Sequence, residues 1–161
     1  MRAWRLVKTR LAETAFDGRG AQRLGGRWNS PGLRVVYASE HLSLAALEVL
    51  VHAQDSAALR GYSAIAIEFD PRLAVDVSPD SLSGSWRAWP APPALQAIGD
   101  DWIRSRRSAI LRVPSTIVPV ECNLLLNPEH PEFARIHIEE QTPFELDARL
   151  RGAGRAEQIT S

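Results

Sequence analysis

The sequence predicts an α+β domain built on short strands in a mixed or mainly antiparallel sheet, with a few helices. Three observations lead there. Short β-branched and aromatic runs recur along the whole chain, while helical periodicity is confined to a few segments. The βαβα alternation of a doubly wound sheet is missing, and so are a Gly-x-Gly-x-x-Gly turn after a strand and a Walker loop. The 161 residues contain no internal repeat, no low-complexity tract and no linker. One domain over residues 1–155 is therefore expected, followed by a fraying tail at 156–161.

Taken in order, Trp4 to Val7 reads as a first strand with Trp4 and Leu6 on one side. Asp17 to Gly26 reads as loop, and Asn29 to Gly32 carries a turn signal. Arg34 to Ala38 suits a strand, with Ser39 as N-cap of the helix that follows. That helix should end between Asp55 and Gly61. Tyr62 to Phe69 alternates cleanly, with Ile65, Ile67 and Phe69 pointing one way, and Leu73 to Val77 suits a further strand. Ser78 to Pro93 is a surface connection that Trp86 and Trp89 would anchor. Ala94 to Arg107 is an amphipathic helix with Leu95, Ile98, Trp102 and Ile103 on its buried stripe. Arg104, Arg106 and Arg107 sit at its end, where the helix dipole favours cations. Ala109 to Val113 is a strand, interrupted at Pro114-Ser115-Thr116 and resuming from Ile117 to Glu121. Asn123 to Leu126 is apolar, Asn127 to Pro131 is a turn with His130 at the surface, and Phe133 to Ile138 and Phe144 to Leu150 are late strands.

Composition excludes several classes. Nineteen basic and nineteen acidic residues give a formal net charge of +0, without the overall basic excess of a nucleic-acid binder. No apolar run approaches the ~20 residues of a membrane span. The start carries no apolar segment of the signal-peptide kind. A single cysteine, Cys122, rules out an intramolecular disulfide and fits a small apolar role in a reducing cytoplasm. The histidines His41, His52, His130 and His137 lack zinc-type spacing, so no metal site is expected.

Glu48 is the anomaly of the chain. Leu47, Val49, Leu50 and Val51 leave it no polar face, and Leu44 and His52 lie one turn to either side on its own stripe. A helix apolar all round is normally buried, and a buried carboxylate needs a cation or hydrogen-bond donors. The turn-rich loop Gly25-Gly26-Arg27-Trp28-Asn29 offers Arg27. One reading is a structural Arg–Glu pair, or a Glu that reaches solvent at a helix edge. The other is reactive: a guanidinium that binds phosphate through its fork, and a carboxylate that stabilises positive charge on a sugar ring. Tyr37 could stack on a flat heterocycle or pack in the core. Ser115 could face a pocket or bond its own backbone. His52 and Asn123 could line the same cavity or serve locally, and Trp28 and Asn29 could shape the ligand loop or pack beneath it. A Ser-His-Asp triad is not indicated.

Gly26-Arg27-Trp28-Asn29-Ser30-Pro31-Gly32, Val36-Tyr37-Ala38-Ser39, Ser43-Leu44-Ala45-x-Leu47-Glu48, Val113-Pro114-Ser115 and Asn127-Pro128-x-His130-Pro131 together resemble the RES-domain family. The family takes its name from an arginine, a glutamate and a serine, matched here by Arg27, Glu48 and Ser115. The resemblance implies an ADP-ribosyltransferase-like fold and the toxin of a bacterial type II toxin–antitoxin pair. Such a toxin takes NAD+ as substrate, with no resident cofactor, and splits it by phosphorolysis or hydrolysis. It implies as partner an Xre-like helix-turn-helix antitoxin that covers the active site in a hetero-oligomer and makes the DNA contacts.

On that reading Arg27, Glu48 and Ser115 are catalytic, and Arg27, Tyr37, Trp28, Asn29, His52 and Asn123 contact substrate. Arg27 would hold the pyrophosphate or nicotinamide ribose, and Tyr37 would stack near the nicotinamide. Glu48 would stabilise the ribosyl cation, and Ser115 would bond the ribose or position Glu48. The rivals are ADP-ribosyl transfer to a specific protein, and a ribonuclease-type toxin or non-catalytic binding module.

Overall fold

The structure is a computed structural model and describes residues 1–53 and 59–151. Eight strands form one sheet: β1 (Arg2–Lys8), β2 (Val36–Ser39), β3 (Tyr62–Glu68), β4 (Ala74–Asp76), β5 (Ile110–Pro114), β6 (Cys122–Leu126), β7 (His137–Ile138) and β8 (Thr142–Phe144). Their order is β4-β5-β6-β2-β1-β3-β7, with β8 also paired to β3. Among the described residues only β4 and β5 pair in parallel. The helices are α1 (Arg19–Leu24), α2 (Leu42–His52) and α3 (Pro93–Ser105).

Alternation along the strands separates two faces. One carries Ala3, Val36, Ala38, Ile67, Ile110, Leu124 and Leu126 and is closed by Phe16, Leu73, Phe133 and Ile136. The other carries Tyr37, Leu111, Val113 and Leu125, covered by Trp28, Trp86, Leu95, Trp102 and Ile103. Register places Ser39 opposite Asn123, and Asn123 opposite Val113, on this second face. Helix α2 packs on β1 and β2 through Leu44 and Ala45. Full burial of Leu44 contributes roughly 1.5–3 kcal/mol. The candidate site residues gather on the second face, with Glu48 on α2 and the Arg27 loop tied to α3.

Several expectations are corrected. The loop at Asp17 to Gly26 contains α1. Helix α2 is not buried all round: Leu47 and Val51 are exposed and only Leu44 and Ala45 are buried. It ends at His52, with extended Ala53 as its C-cap, and positions 54–58 lie outside the described residues. Ser39 is not the N-cap, because it is the last residue of β2 and His41 takes the cap position.

Trp86 is buried, but Trp89 is 80% exposed and anchors nothing. Ile117 to Glu121 is a turn, not a strand. Ser115 Oγ accepts from the amides of Ile117 (3.1 Å) and Val118 (3.2 Å), which draws them away from any ladder. A turn of 3-10 helix at Pro131–Arg135 replaces most of the strand expected from Phe133, leaving β7. The last strand is Thr142–Phe144, and Ala148–Arg151 is 3-10 helix.

His130 is buried rather than on the surface. Its Nδ1 accepts from Glu132 N (3.1 Å) and its Nε2 meets Arg106 O (3.0 Å), joining the turn to the end of α3. The expected tail at 156–161 lies outside the described residues. None of the helices is long and apolar enough to cross a membrane, among the described residues.

Candidate active site

Glu48 lies half-buried on α2, and its carboxylate is held through one oxygen. Asn123 Nδ2 donates to Oε1 at 2.6 Å, and Ser115 Oγ makes a longer contact with the same atom at 3.5 Å. Oε2 carries no hydrogen bond among the described residues, which leaves it for a reactant. Ser115 is fully buried, and its hydroxyl accepts the two amides of its own turn while its proton is directed to Glu48. Asn123 is fixed from behind, since Ser39 Oγ donates to its Oδ1 at 2.7 Å.

Arg27 forms no ion pair with Glu48, so the structural-pair reading does not hold. Its Nη1 donates to the carbonyls of Trp86 (2.9 Å) and Ala88 (3.2 Å), and Nη2 donates to Ala88 (3.2 Å). Five N–H groups are available on a guanidinium. These contacts leave Nε–H and one Nη2–H unbonded among the described residues, the edge with which Arg grips a phosphate or carboxylate bidentately. Burial pulls the Arg27 guanidinium below its ordinary range, and the Glu48 carboxylate and then Tyr37 push it back. Cation and anion therefore feel each other without touching.

The loop that carries Arg27 is pinned from below. Asn29 is fully buried, and its Nδ2 donates to Ala21 O and Ser30 O, both at 3.1 Å. Tyr37 donates its hydroxyl to Asn29 Oδ1 at 2.8 Å and accepts from Trp28 N at 3.2 Å. Burial pushes the Tyr37 phenol above its ordinary range. A Cβ on Gly26 would lie 2.6 Å from that hydroxyl, which explains the glycine. Trp28 packs in the core. Asn29 and Trp28 thus shape the loop, and Tyr37 supports it through its hydroxyl.

A family model described as the RES domain matches residues 2–147. The chain belongs to the RES domain family. A protein described as "Toxin Res" from Yersinia enterocolitica is 39% identical over 94% of this chain and 100% of its own length. The "Prs ADP-ribosylating toxin" of a Sphingobium species is 35% identical over 91% of this chain and 94% of its own length. A chain in the crystal structure of the M. tuberculosis MbcT–MbcA toxin–antitoxin complex superposes with a TM-score of 0.71 at 18% identity. That match covers 89% of this chain and 84% of the other, and shows the shared fold. The single α+β domain with a mixed, mainly antiparallel sheet expected from the sequence is the one observed.

Within this RES domain, Arg27, Glu48, Ser115, Asn123, Trp28, Asn29 and Tyr37 come together. His52 does not join them: it is exposed, and its Nδ1 meets Glu48 O at 2.9 Å at the end of α2. Helix α3 supplies residues that sequence reasoning missed. Gln96 Nε2 donates to Gly26 O (2.9 Å) and Asn29 O (3.2 Å), and Asp100 Oδ1 accepts from Ser30 N (2.8 Å). Between them Gly99 lies against the Trp28 carbonyl so closely that a Cβ would fall 1.7 Å from its oxygen. The 96, 99, 100 spacing puts all three on one helix face, a signal that was readable. Among the described residues no group of His, Cys, Asp or Glu side chains could hold a metal ion.

Proposed function

We propose that this RES domain is the toxin of a type II toxin–antitoxin pair and that it depletes NAD+ by cleaving the nicotinamide–ribose bond. The observation that carries the reading is a carboxylate fixed through one oxygen and open through the other, within electrostatic reach of an arginine with a free fork edge. Arg27 binds the pyrophosphate or the nicotinamide ribose. As the glycosidic C–N bond breaks, its electron pair leaves with nicotinamide and positive charge grows on the ribose ring. The free oxygen of Glu48 stabilises that charge. Ser115 and Asn123 hold Glu48 in place. Phosphate then forms the new bond at the ribose carbon, giving nicotinamide and a phosphorylated ADP-ribose, or water does so and releases ADP-ribose and a proton.

A second reading keeps the same first step and passes ADP-ribose to a protein side chain. The relative named as a Prs ADP-ribosylating toxin favours it. NAD+ incubated with the purified chain, with and without phosphate and with and without a bacterial lysate as the source of acceptor proteins, separates the two. Free nicotinamide with ADP-ribose or its phosphate supports depletion. A labelled protein without bulk NAD+ loss supports transfer. Intact NAD+ and no labelled protein would overturn both.

An Xre-like helix-turn-helix antitoxin is the partner this reading requires. A likeness to a chain of a toxin–antitoxin complex supports it. Leu47 and Val51, exposed one turn apart on α2 beside Glu48, offer such a partner an apolar surface next to the site.

A further inference from the structure

The geometry points to Ser39 as a positioning residue that sets the orientation of the Asn123 amide and, through it, the Glu48 carboxylate. Ser39 closes β2 directly opposite Asn123 of β6, on the face from which Glu48 of α2 meets the Asn123 amide. Its side chain is buried, and its hydroxyl lies 2.7 Å from Asn123 Oδ1. The other end of the same amide lies 2.6 Å from Glu48 Oε1. Ser39, Asn123 and Glu48 thus form a relay across β2, β6 and α2.

Chemistry fixes the direction of that relay. A carboxylate only accepts, so Asn123 must present its NH2 group to Glu48. The amide has two nearly equivalent shapes related by a half turn, and the wrong one would set two acceptor oxygens face to face. The carboxylate selects the NH2 end, and the Ser39 hydroxyl, which rotates to donate, bonds the oxygen left at the far end and holds the amide in that orientation. Ser115 makes only the longer contact with Glu48, so Asn123 is the principal hold on the reacting side chain, and Ser39 governs Asn123. Ser39 touches neither Glu48 nor a reactant. Its effect passes through the amide.

This assignment rests on Glu48 acting in NAD+ cleavage, so one arm of the test reads turnover and the other reads the amide itself. In the purified full chain, Ser39→Ala should lower kcat by about tenfold with KM for NAD+ unchanged, and Ser39→Thr, which keeps the hydroxyl, should restore it. In an Asn123→Ala background, Ser39→Ala should cost nothing more, because the relay is already cut. In nitrogen-15 correlation spectra the Asn123 side-chain amide should show one proton shifted downfield by its charged acceptor. That signal should be lost in Ser39→Ala and regained in Ser39→Thr. An unchanged Asn123 signal in Ser39→Ala, or the same tenfold loss with and without Asn123, would overturn the inference. A wild-type chain that leaves NAD+ intact would instead overturn the proposed cleavage, and the amide signal would still decide whether Ser39 sets Asn123.

Discussion

The two sides of the site are held by different parts of the chain. Around Glu48 the holders are side chains, since Asn123 and Ser115 meet its carboxylate and Ser39 backs Asn123. Around Arg27 they are largely main chain. The carbonyls of Trp86 and Ala88 accept from the guanidinium, and Gln96 and Asp100 grip the backbone of the arginine's own loop. A carboxylate needs donors, and apart from backbone amides these come from particular residue types. A guanidinium needs acceptors, and any stretch of backbone supplies carbonyls. The first side is therefore specified by residue identity and the second by the path of the chain.

Substitutions can break that contrast. The largest effect is expected from Glu48→Gln, which removes the charge and keeps the shape. Its kcat for NAD+ loss should fall by at least about a hundredfold. Its melting temperature should hold, because the new amide oxygen can still accept from Asn123. Unchanged turnover in the folded variant would remove Glu48 from the chemistry.

Arg27→Lys comes next. Lysine offers a point charge in place of a fork that serves two carbonyls and a ligand, so KM for NAD+ should rise by roughly tenfold, close to the effect of Arg27→Ala. The melting temperature should fall with it, because the Trp86 and Ala88 carbonyls lose their donors. Full NAD+ affinity in the lysine variant would show that fork geometry does not matter there.

The smallest effect concerns Tyr37, at the foot of the Arg27 loop. Its phenol binds its proton more tightly in the folded chain than in the unfolded one, through burial. The unfolded state therefore loses that proton first. The stabilisation is complete below the ordinary phenol value of 10.0 and is lost as pH rises above it toward the higher folded value. Tyr37→Phe should cost about 1 kcal/mol at neutral pH, through the bonds to Asn29 and Trp28, and should flatten the decline above pH 10. Denaturant melts across pH check this, and parallel declines in the two proteins would assign the alkaline loss to other groups.

The same contrast explains what was legible in the sequence. Strand β3 is legible from its alternation, although the sheet buries both of its sides, Ala64 and Ala66 as fully as Ile65 and Ile67. Glu48 stood out because an acid among Leu and Val is a chemical contradiction visible in one dimension. The hold on Arg27 was not visible, because carbonyls at 86 and 88 belong to no residue type. Ser39 carries the signal of a cap because a serine before a helix does so whether or not the strand extends to it. Leu47 and Val51 suit the core by periodicity, which counts apolar residues but does not say which of them has a neighbour to cover it. The prolines around His130 signal a surface turn, and the contact they do not reveal is the bond to Arg106 O at the distant end of α3.

The contact between Gly99 and the Trp28 carbonyl has a genetic consequence. Under the proposed function, a culture forced to express this chain selects cells that carry a broken copy of its gene. Substitutions of Glu48 or Arg27 break it by removing a reacting group. A single-base change that converts Gly99 to any residue with a Cβ would break it differently, by driving the oxygen of Trp28 away from α3 and carrying the adjacent Arg27 out of place. Survivors of that kind would retain the arginine, the glutamate and the serine intact. A gene inspected for those three residues alone would then be counted as armed when it is not.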